Sequence, residues 1–265
     1  MKIDLLNIPK EVLLKKLKAI RRKGWIHTNR SKNDGAVGNT LEDLLEIPEN
    51  NLAIANTVDW ELKAQRKSTG SMITLFHIDP QPRKPESVVT RIILPNYGWS
   101  HKEAGKKYPK TEMSFRATLN GVSYTDRGFK LNVESVRRTV EIVFNPKKTH
   151  KKHYDWYNRV VGYHGEVEKV FASWSFDDLQ KKCIGKICNT IYVVADSRTV
   201  NGQEEFKYEK IELLEDFAFN NFLRGLINGK ILVDFDARTG HNHGTKFRIK
   251  QNNWPVLFSK VTELK

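Results

Sequence analysis

Hydrophobic and polar positions along the chain fall into helical and strand-like patterns. Residues 8–23 place apolar side chains at helical intervals and basic ones on the other face, which predicts an amphipathic helix. A capping pattern predicts a second helix that begins at Thr40. Helices are also predicted from Ser175 onward and over residues 216–227, the last one ending at an Asn-Gly pair.

Short runs rich in apolar residues predict the strands. These runs are residues 58–63, 72–78, 88–94, 113–119, 129–133, 139–144, 170–174, 190–195 and 206–208. Turn residues predict three hairpins. One joins residues 58–63 to 72–78, and the other two turn at Asn120-Gly121 and at Asn201-Gly202. The mixture of strands and helices predicts an α/β fold with a mixed central β-sheet flanked by helices.

Composition indicates a polyanionic partner. At 265 residues the chain can form one or two domains, and Lys plus Arg exceed Asp plus Glu by 45 − 31 = 14. Such an excess favours nucleic acid, although charge alone does not separate DNA from RNA. The two cysteines, Cys183 and Cys188, predict neither a disulfide framework nor a zinc site. Because the sequence has no apolar membrane span and no secretory signal pattern, we expect a cytoplasmic protein.

The segment Val-Asp-Trp-Glu-Leu-Lys at residues 58–63 carries the strongest chemical signal. In a strand, Asp59, Glu61 and Lys63 would share one face. Two carboxylates and an ammonium on one face suit a divalent cation that activates water, with the lysine stabilising charge on a phosphate. The helix that begins at Thr40 would bring Glu42 to the same neighbourhood as a third carboxylate. A solvated strand that carries Glu-x-Lys by chance is the alternative.

Longer motifs around this segment resemble one family. They are Gly-Asn-Thr-Leu-Glu-Asp-Leu-Leu-Glu at 38–46, Glu-Asn-Asn-Leu at 49–52, Trp-Glu-Leu-Lys at 60–63, Met-Ile-Thr-Leu-Phe at 72–76 and Ser-Trp-Ser-Phe-Asp-Asp-Leu-Gln at 173–180. The chain is similar to the MvaI/BcnI restriction endonucleases, which are PD-(D/E)xK nucleases related to the nicking enzyme MutH. The resemblance implies Glu42, Glu61 and Lys63 as active-site residues, Mg²⁺ as cofactor, two lobes around a DNA cleft, and a monomer that nicks the two strands in sequence.

Position 56 departs from that family. The resemblance implies a metal-binding aspartate five residues before Glu61, where this chain has Asn56. An amide oxygen can ligate a metal but carries no charge, whereas Mg²⁺ prefers charged oxygens. Three explanations are open: Asp59 supplies the missing carboxylate, the chain is an inactivated form that still binds DNA, or cleavage has been lost naturally.

Residues 231–249 form a second informative segment. Its polar residues are Asp234, Asp236, Arg238, His241, His243, Lys246 and Arg248. A metal site at the His-x-His pair lacks a further nitrogen or thiolate ligand at a fitting spacing. Arginine and histidine donors, with aspartate acceptors, suit readout of base edges. The segment is similar to the family's recognition segment, whose members read short C/G-rich sites. Because Asp236 stands where the resemblance implies an arginine, we expect that the recognised sequence differs and that Arg238 compensates.

Two further segments are candidates for phosphate contacts. The basic turn after residue 63 contains Arg66 and Lys67, and residues 147–157 combine lysines with Tyr154, Trp156 or Tyr157 as a wedge or stacking group. A solvated loop is the alternative for the second segment. The resemblance predicts one nuclease unit over 1–265, with a catalytic lobe near 1–95 plus parts of 165–230, and a recognition lobe near 96–165 and 231–250.

The sequence therefore predicts a Mg²⁺-dependent type II restriction endonuclease acting on double-stranded DNA. Two alternatives remain, a strand-nicking repair endonuclease similar to MutH and a non-catalytic sequence-specific DNA-binding protein. Asn56 is the feature that favours the second alternative. An RNA-binding role is disfavoured because the sequence contains no aromatic RNP segment.

Overall fold

The computed structural model describes residues 9–30, 33, 35–46, 60–67, 72–82, 88–165, 167–187 and 189–265. Its helices are α1 (Lys10–Arg22), α2 (Ala36–Leu45), α3 (Leu94–Tyr97), α4 (Tyr154–His164), α5 (Phe176–Ile187) and α6 (Phe219–Ile227). Its strands are β1 (Trp25–His27), β2 (Glu61–Arg66), β3 (Met72–His77), β4 (Trp99–Ser100), β5 (Met113–Leu119), β6 (Arg127–Glu134), β7 (Thr139–Thr149), β8 (Lys169–Ser175), β9 (Thr190–Val200), β10 (Gln203–Phe217), β11 (Ile231–Arg238), β12 (His241–Asn242), β13 (Lys246–Lys250) and β14 (Phe258–Glu263).

The chain folds into two compact units. The first comprises residues 1–71, 183–218 and 255–265, and the second comprises residues 72–182 and 219–254. Each unit is discontinuous in sequence, so each depends on contacts between residues far apart along the chain. Among the described residues no helix is long and apolar enough to cross a membrane.

The first unit contains a mixed sheet in the order β1-β10-β9-β2, with β14 also paired to β10. Strand β2 runs parallel to β9, and the other pairs are antiparallel. Helices α1 and α2 bury apolar faces in the same core as the sheet; this core includes Leu13, Leu17, Leu41, Leu45, Leu62, Ile191 and Phe206. The predicted α/β class and the mixed sheet with helices packed on it are therefore confirmed.

The β9–β10 hairpin confirms the turn predicted at Asn201-Gly202. Asn201 and Gly202 have φ angles of 49° and 78°. Two consecutive positive φ values match the right-handed twist of the flanking strands, and Asn-Gly adopts them at low cost. The hairpin matters for the site because β9 is the strand that pairs with β2.

The second unit contains two sheets, one in the order β3-β13-β11-β5-β4 with β12 paired to β11, and one in the order β6-β7-β8. Its interior is aromatic, and fully buried side chains include Phe115, Phe129, Phe144, Trp174 and Phe247. Ring pairs such as Phe115 with Phe129, 5.3 Å apart at 73°, adopt the edge-to-face geometry that aromatic quadrupoles favour. Packing of these rings fixes the positions of the strands and therefore of the polar side chains on their outward face.

Helices α5 and α6 lie where the sequence predicted helices, whereas α3 and α4 were not predicted. The Ser175 hydroxyl accepts a 3.1 Å hydrogen bond from the Asp178 amide, which confirms the predicted cap of α5. Helix α6 begins at Phe219, later than predicted, because Asp216 and Phe217 belong to β10. The helix ends before Gly229, whose φ of 66° is the left-handed value expected after a helix.

Two predicted hairpins are wrong. Strand β2 pairs with β9, whereas β3 pairs with β13, so the strands around residues 68–71 belong to different sheets. Strand β5 pairs with β4 and β11, and not with β6. At Asn120-Gly121 the Asn120 side chain accepts from the amides of Val122 and Ser123, which makes a local turn without strand pairing.

The strand predicted over residues 88–94 is also wrong. Residues 89–93 form a π-helical turn that leads into α3. Val88, Val89, Ile93 and Leu94 are buried, while Arg91 is exposed, so the buried positions follow a helical spacing and not the alternation of a strand. A short apolar run fits both structures, and packing in the second unit decides between them.

Candidate active site and nucleic-acid interface

Strand β2 places Glu61 and Lys63 together, as predicted. Leu62 between them is buried in the core of the first unit, so its two neighbours point to the opposite face. The Lys63 Nζ atom lies 3.1 Å from Glu61 Oε1, and the two side chains are 22% and 12% exposed. A partly buried ammonium and carboxylate in hydrogen-bond contact form a charge-assisted pair that holds both groups in place.

Strand β9 supports this pair from the side. Glu61 lies opposite Thr190 and Lys63 lies opposite Tyr192 in the parallel register. The Tyr192 hydroxyl donates to Gln65 Oε1 at 3.3 Å, next along the same face of β2. The side chain of Thr190 is fully buried, and its hydroxyl has no hydrogen-bond partner among the residues that the structure describes. A buried hydroxyl therefore lies at the strand position beside Glu61.

The helix that carries Glu42 packs against the strand that carries Glu61. Leu41 and Leu45 of α2 share a buried core with Leu62 of β2. Glu42 is partly buried, while its neighbour Asp43 is exposed. Asp43 accepts from the Arg30 guanidinium at 2.5 and 2.7 Å, and this interaction lowers the pKa of the Asp43 carboxyl. Asp43 therefore serves to tie α2 to the segment before it.

The remaining predicted metal ligands, Asn56 and Asp59, lie outside the described residues. Within the part of the chain that the structure describes, no three histidine, cysteine, aspartate or glutamate side chains are grouped as a metal site. Glu61 is thus the predicted ligand whose surroundings are defined. The Glu61 carboxylate contacts the Lys63 ammonium and lies at the strand position next to Thr190, whose hydroxyl is buried. This polar setting suits a metal ion that prefers oxygen ligands.

Arg66, which the sequence predicts as a DNA contact, is held by hydrogen bonds within the first unit. Its Nε and Nη2 atoms donate to the two Glu204 carboxylate oxygens at 2.8 and 2.9 Å, and Nη2 also donates to the Asn33 carbonyl. The residue is buried, with its guanidinium above the Phe206 ring. Lys67 is different, because its side chain is 63% exposed and its ammonium is 3.5 Å from the Asp196 carboxylate. The structure leaves Lys67 accessible to a polyanion.

In the second unit, β11 alternates strictly between buried and outward residues. Val233, Phe235 and Ala237 are buried, so Asp234, Asp236 and Arg238 share the outward face. Outward residues of the neighbouring strands complete what we call the polar sheet face: Arg116 and Thr118 of β5, Asp234, Asp236 and Arg238 of β11, and Lys246 and Arg248 of β13. The structure therefore brings together five predicted DNA-binding residues from two separate strands.

Each aspartate on the polar sheet face is held by its neighbours. Asp234 accepts from Arg248 Nη1 at 2.6 Å and from the Thr118 hydroxyl at 2.6 Å. Asp236 accepts from Arg116 Nε at 2.8 Å. Sequence reasoning missed Arg116 and Thr118, although their alternation in a predicted strand was a signal that they share a face. Their pairing with β11 could not be read from the sequence.

Arg238 leans away from the aspartates of its own strand. Its Nη1 atom donates to Glu112 Oε1 at 3.1 Å, and its guanidinium lies 4.9 Å from the Tyr108 ring centre. Glu112 is buried, so its carboxylate requires a cationic partner. Glu112 is a third residue that sequence reasoning missed, and it fixes the direction in which Arg238 points.

His241 and His243 lie at the exposed end of the same sheet, in a loop stabilised by Asp79. Their rings are perpendicular with centres 4.3 Å apart. Asp79 accepts from the Thr245 amide and hydroxyl at 2.9 and 2.8 Å, and from Asn242 Nδ2 at 2.9 Å. No sequence signal links Asp79 to this loop, because the contact joins residues far apart in the chain.

Lys246 lies beside His77 in the pairing of β13 with β3. Burial lowers the pKa of His77, and the Lys246 ammonium lowers it further. His77 is consequently neutral at neutral pH, and its ring packs 3.6 Å from the position that a Cβ atom would take at Gly244. His77 and Lys246 therefore lie next to the loop that contains His241 and His243.

The basic segment 147–157 is partly structural. Trp156, predicted as a stacking group, is buried, and its Nε1 donates to the carbonyls of Tyr97 and Gly98, so that prediction is wrong for this residue. Tyr154 is 62% exposed and stacks on Tyr157 with ring centres 6.1 Å apart. The tyrosine pair thus remains a candidate for contact with a nucleic acid.

Comparisons with known proteins identify the family and the fold of the chain. A protein-family model described as the MvaI/BcnI restriction endonuclease family matches residues 14–258. Among solved structures, the chain is similar to restriction endonuclease MvaI in complex with its cognate DNA substrate, with a TM-score of 0.73 and 23% identity over 97% of this chain and 99% of the other. MvaI in the absence of DNA gives 0.58 and 20% over 98% and 99%. A search of curated proteins found no match.

Proposed function

Because the chain belongs to the MvaI/BcnI restriction endonuclease family, and is thus a type II site-specific deoxyribonuclease that acts on DNA, we propose that it cuts at a short C/G-rich site with Mg²⁺ as cofactor. The protein acts as a monomer that nicks one strand and then the other. The observation that supports this proposal most directly is the contact between Glu61 and Lys63. Their charged atoms are 3.1 Å apart, on the face of β2 opposite to the buried Leu62.

The donor set around Glu61 suits a magnesium ion. Enzymes of this family generally use divalent metal ions, and a carboxylate oxygen is the ligand that Mg²⁺ prefers. Glu61 would hold the ion together with Asn56 or Asp59, and Glu42 would hold the ion or its water shell. When bound, Mg²⁺ supplies a Lewis acid and lowers the pKa of a coordinated water.

Lys63 and its neighbours provide the rest of the hydrolytic chemistry. The Lys63 ammonium donates to a non-bridging phosphate oxygen or orients the attacking water, and it stabilises the charge that grows on phosphorus during in-line attack. The hydrogen bond to Glu61 limits the rotamers of Lys63 before the substrate arrives. Preorganisation of this kind lowers the reorganisation needed at the moment of reaction.

We assign recognition to the second unit and catalysis to the first. The polar sheet face presents donors and acceptors that match base edges, and His241 and His243 extend it at one end. Lys67 and the Tyr154–Tyr157 pair contact the phosphate backbone or unstacked bases. Asp234, Asp236, Arg238, Lys246 and Arg248 then determine the site, while the positive excess of the chain supplies general affinity for DNA.

Asn56 favours a second candidate function, a DNA-binding protein that does not cut. Such a protein would keep the polar sheet face and lose the charge that position 56 contributes to a metal. The two candidates differ in the effect of one substitution, because Asn56→Asp restores a carboxylate without changing the recognition residues.

Incubation of supercoiled plasmid with Mg²⁺ tests the proposal. The chain and its Asn56→Asp form are each compared, and the ends of the products are sequenced. Linear fragments with one common terminal sequence support a restriction endonuclease, and nicked circles that persist support a strand-nicking enzyme. Unchanged plasmid with both forms, accompanied by selective binding, contradicts the nuclease proposal in favour of the non-catalytic one.

A further inference from the structure

Arg116 and Asp236 form a directional pair on the polar sheet face. They lie opposite each other in the antiparallel register of β5 and β11. Arg116 Nε donates to Asp236 Oδ1 at 2.8 Å, and Arg116 Nη2 is 3.5 Å from Oδ2. The guanidinium is therefore held along one edge by the carboxylate, and its side chain is still 54% exposed.

The other two arginines of this face are more enclosed. Arg248 is 29% exposed and donates both to Asp234 and to the Met72 carbonyl. Arg238 is 35% exposed and turns toward the buried Glu112 carboxylate. Of these three arginines, Arg116 has the most exposed side chain.

The chemistry of the pair favours a base over a phosphate. A guanidinium has five N–H donors, and the Asp236 contact occupies those on the Nε side. Within the described residues the Nη1 side of Arg116 is therefore available to donate. That remaining edge matches the O6 and N7 acceptors of guanine. Because the Asp236 carboxylate balances the charge of Arg116, the pair attracts a phosphate less strongly than a lone arginine does, while its direction stays fixed.

We propose that Arg116, positioned by Asp236, determines specificity by donating to the major-groove edge of a guanine in the recognised site. This inference rests on the proposed function, since it requires the polar sheet face to lie against DNA. Asp236 is a positioning residue that acts through the orientation of the guanidinium. Truncation of either residue therefore relaxes the same base position.

Selection of duplexes from a randomised pool tests the proposal with the full-length protein. Binding is carried out with Ca²⁺ in place of Mg²⁺, so that selection does not depend on cleavage, and the retained duplexes are sequenced. Arg116→Ala should reduce the preference for guanine at one position by about 5- to 150-fold, the range that corresponds to one bidentate base contact. Asp236→Asn should reduce preference at that same position by a smaller factor.

Arg198→Ala provides a matched control. Arg198 also lies opposite an acidic residue on an antiparallel strand, donates through Nε to Glu205 at 2.7 Å and is 47% exposed, but it lies in the sheet of the first unit. We expect this variant to retain every base preference. Thermal unfolding of each variant shows that the protein is folded before selection.

Three outcomes overturn the proposal. Arg116→Ala weakens binding to all duplexes equally and lowers the salt dependence, which identifies a phosphate contact. Arg116→Ala and Asp236→Asn relax different positions. The parent protein selects no sequence at all, so no base is read. By contrast, a parent protein that selects a sequence but never cuts it contradicts the proposed nuclease function and leaves the assignment of Arg116 supported.

Discussion

Thr190 lies directly opposite Glu61 where β2 runs parallel to β9. The Thr190 side chain is fully buried, and within the described part of the chain its hydroxyl has no hydrogen-bond partner. A buried hydroxyl without a partner costs about 1–3 kcal/mol of stability. The Thr190 hydroxyl lies beside the Glu61 carboxylate, which is proposed to act in catalysis. We therefore expect this hydroxyl to form a hydrogen bond once metal and DNA are bound.

Replacement of Thr190 by valine tests that expectation. Valine has nearly the same shape, so the free energy of unfolding should stay equal or rise. Cleavage should slow by roughly tenfold or more, because a hydrogen bond to a charged group is worth about 1.5–3 kcal/mol. Thr190→Ser keeps the hydroxyl and should retain most of the activity. Equal single-turnover rates for the parent and the valine form, in an otherwise active preparation, would contradict this role.

The Arg66–Glu204 pair is predicted to stabilise the first unit. Both side chains are largely buried, at 10% and 13% exposure. Arg66→Met leaves a buried carboxylate without its partner and should lower the free energy of unfolding by about 3–5 kcal/mol, measured by urea denaturation. The double variant Arg66→Met with Glu204→Met should recover much of that loss.

Arg198 on the same hairpin gives the comparison for this pair. Its bond to Glu205 is at the surface, so Arg198→Met should change the unfolding free energy by about 1 kcal/mol or less. A similar small change for Arg66→Met would show that Arg66 is not structural and would reopen its predicted contact with DNA.

Asp79 is predicted to control the order of the loop that carries His241 and His243. Asp79→Ala removes the acceptor of three hydrogen bonds, so the Thr245 amide should exchange its hydrogen faster. Sequence selectivity should fall while general affinity for DNA remains. Asp177→Ala is the control, because Asp177 is exposed and bonds to Arg138 at another place in the second unit. Unchanged exchange at Thr245 would contradict the assignment.

Asp126 is predicted to contribute stability that depends on pH. Burial opposes ionisation of Asp126, but hydrogen bonds from Lys152 and His153 outweigh it and lower its pKa to about 2. A lowered pKa gives stability that is fully present above the unfolded pKa, about 3.9, and is lost as the pH falls toward 2.

The corresponding variant is Asp126→Asn. At neutral pH it should lower the free energy of unfolding by about 1 kcal/mol, since the group is partly exposed and solvent screens its ion pairs. Urea denaturation at a series of pH values should show that this difference shrinks between about pH 4 and pH 2. A difference that is constant over that range would mean that the ionised Asp126 does not stabilise the fold.

The local parts of the site were predictable from the sequence. Glu61 and Lys63 share a face because strand residues two apart always do. The helix predicted to begin at Thr40 is present as α2, but its predicted start is wrong: α2 begins at Ala36 with Gly35 at the N-cap, and the Thr40 hydroxyl bonds to Thr28 from within the helix. The alternation of apolar and polar residues over 231–238 could likewise have shown which polar residues of β11 share a face, although no strand was predicted there. In each case the relevant distance along the chain is a few residues.

The partners of these residues were not predictable, because they come from distant segments. Thr190 reaches Glu61 through a parallel pairing, and Arg116 reaches Asp236 through β5. Apolar alternation identifies a strand but does not say which strand lies next to it, so the assumption of adjacent hairpins placed β2 beside β3. The helical turn over residues 89–93 was missed because burial of a short apolar run fits both a helix and a strand.

The central claim is that Glu61 and Lys63 belong to the centre that hydrolyses DNA. Single-turnover cleavage of a duplex containing the recognised site tests this claim most directly. We predict that Lys63→Met and Glu61→Gln each reduce the rate by at least about 100-fold in Mg²⁺. Both variants should bind the duplex as tightly as their parent, and Lys260→Met, a change at an exposed lysine paired with Glu215 elsewhere in the first unit, should cut at nearly the parent rate. Cleavage by Lys63→Met and Glu61→Gln at the parent rate would contradict the account, since the hydrolytic centre would then lie elsewhere.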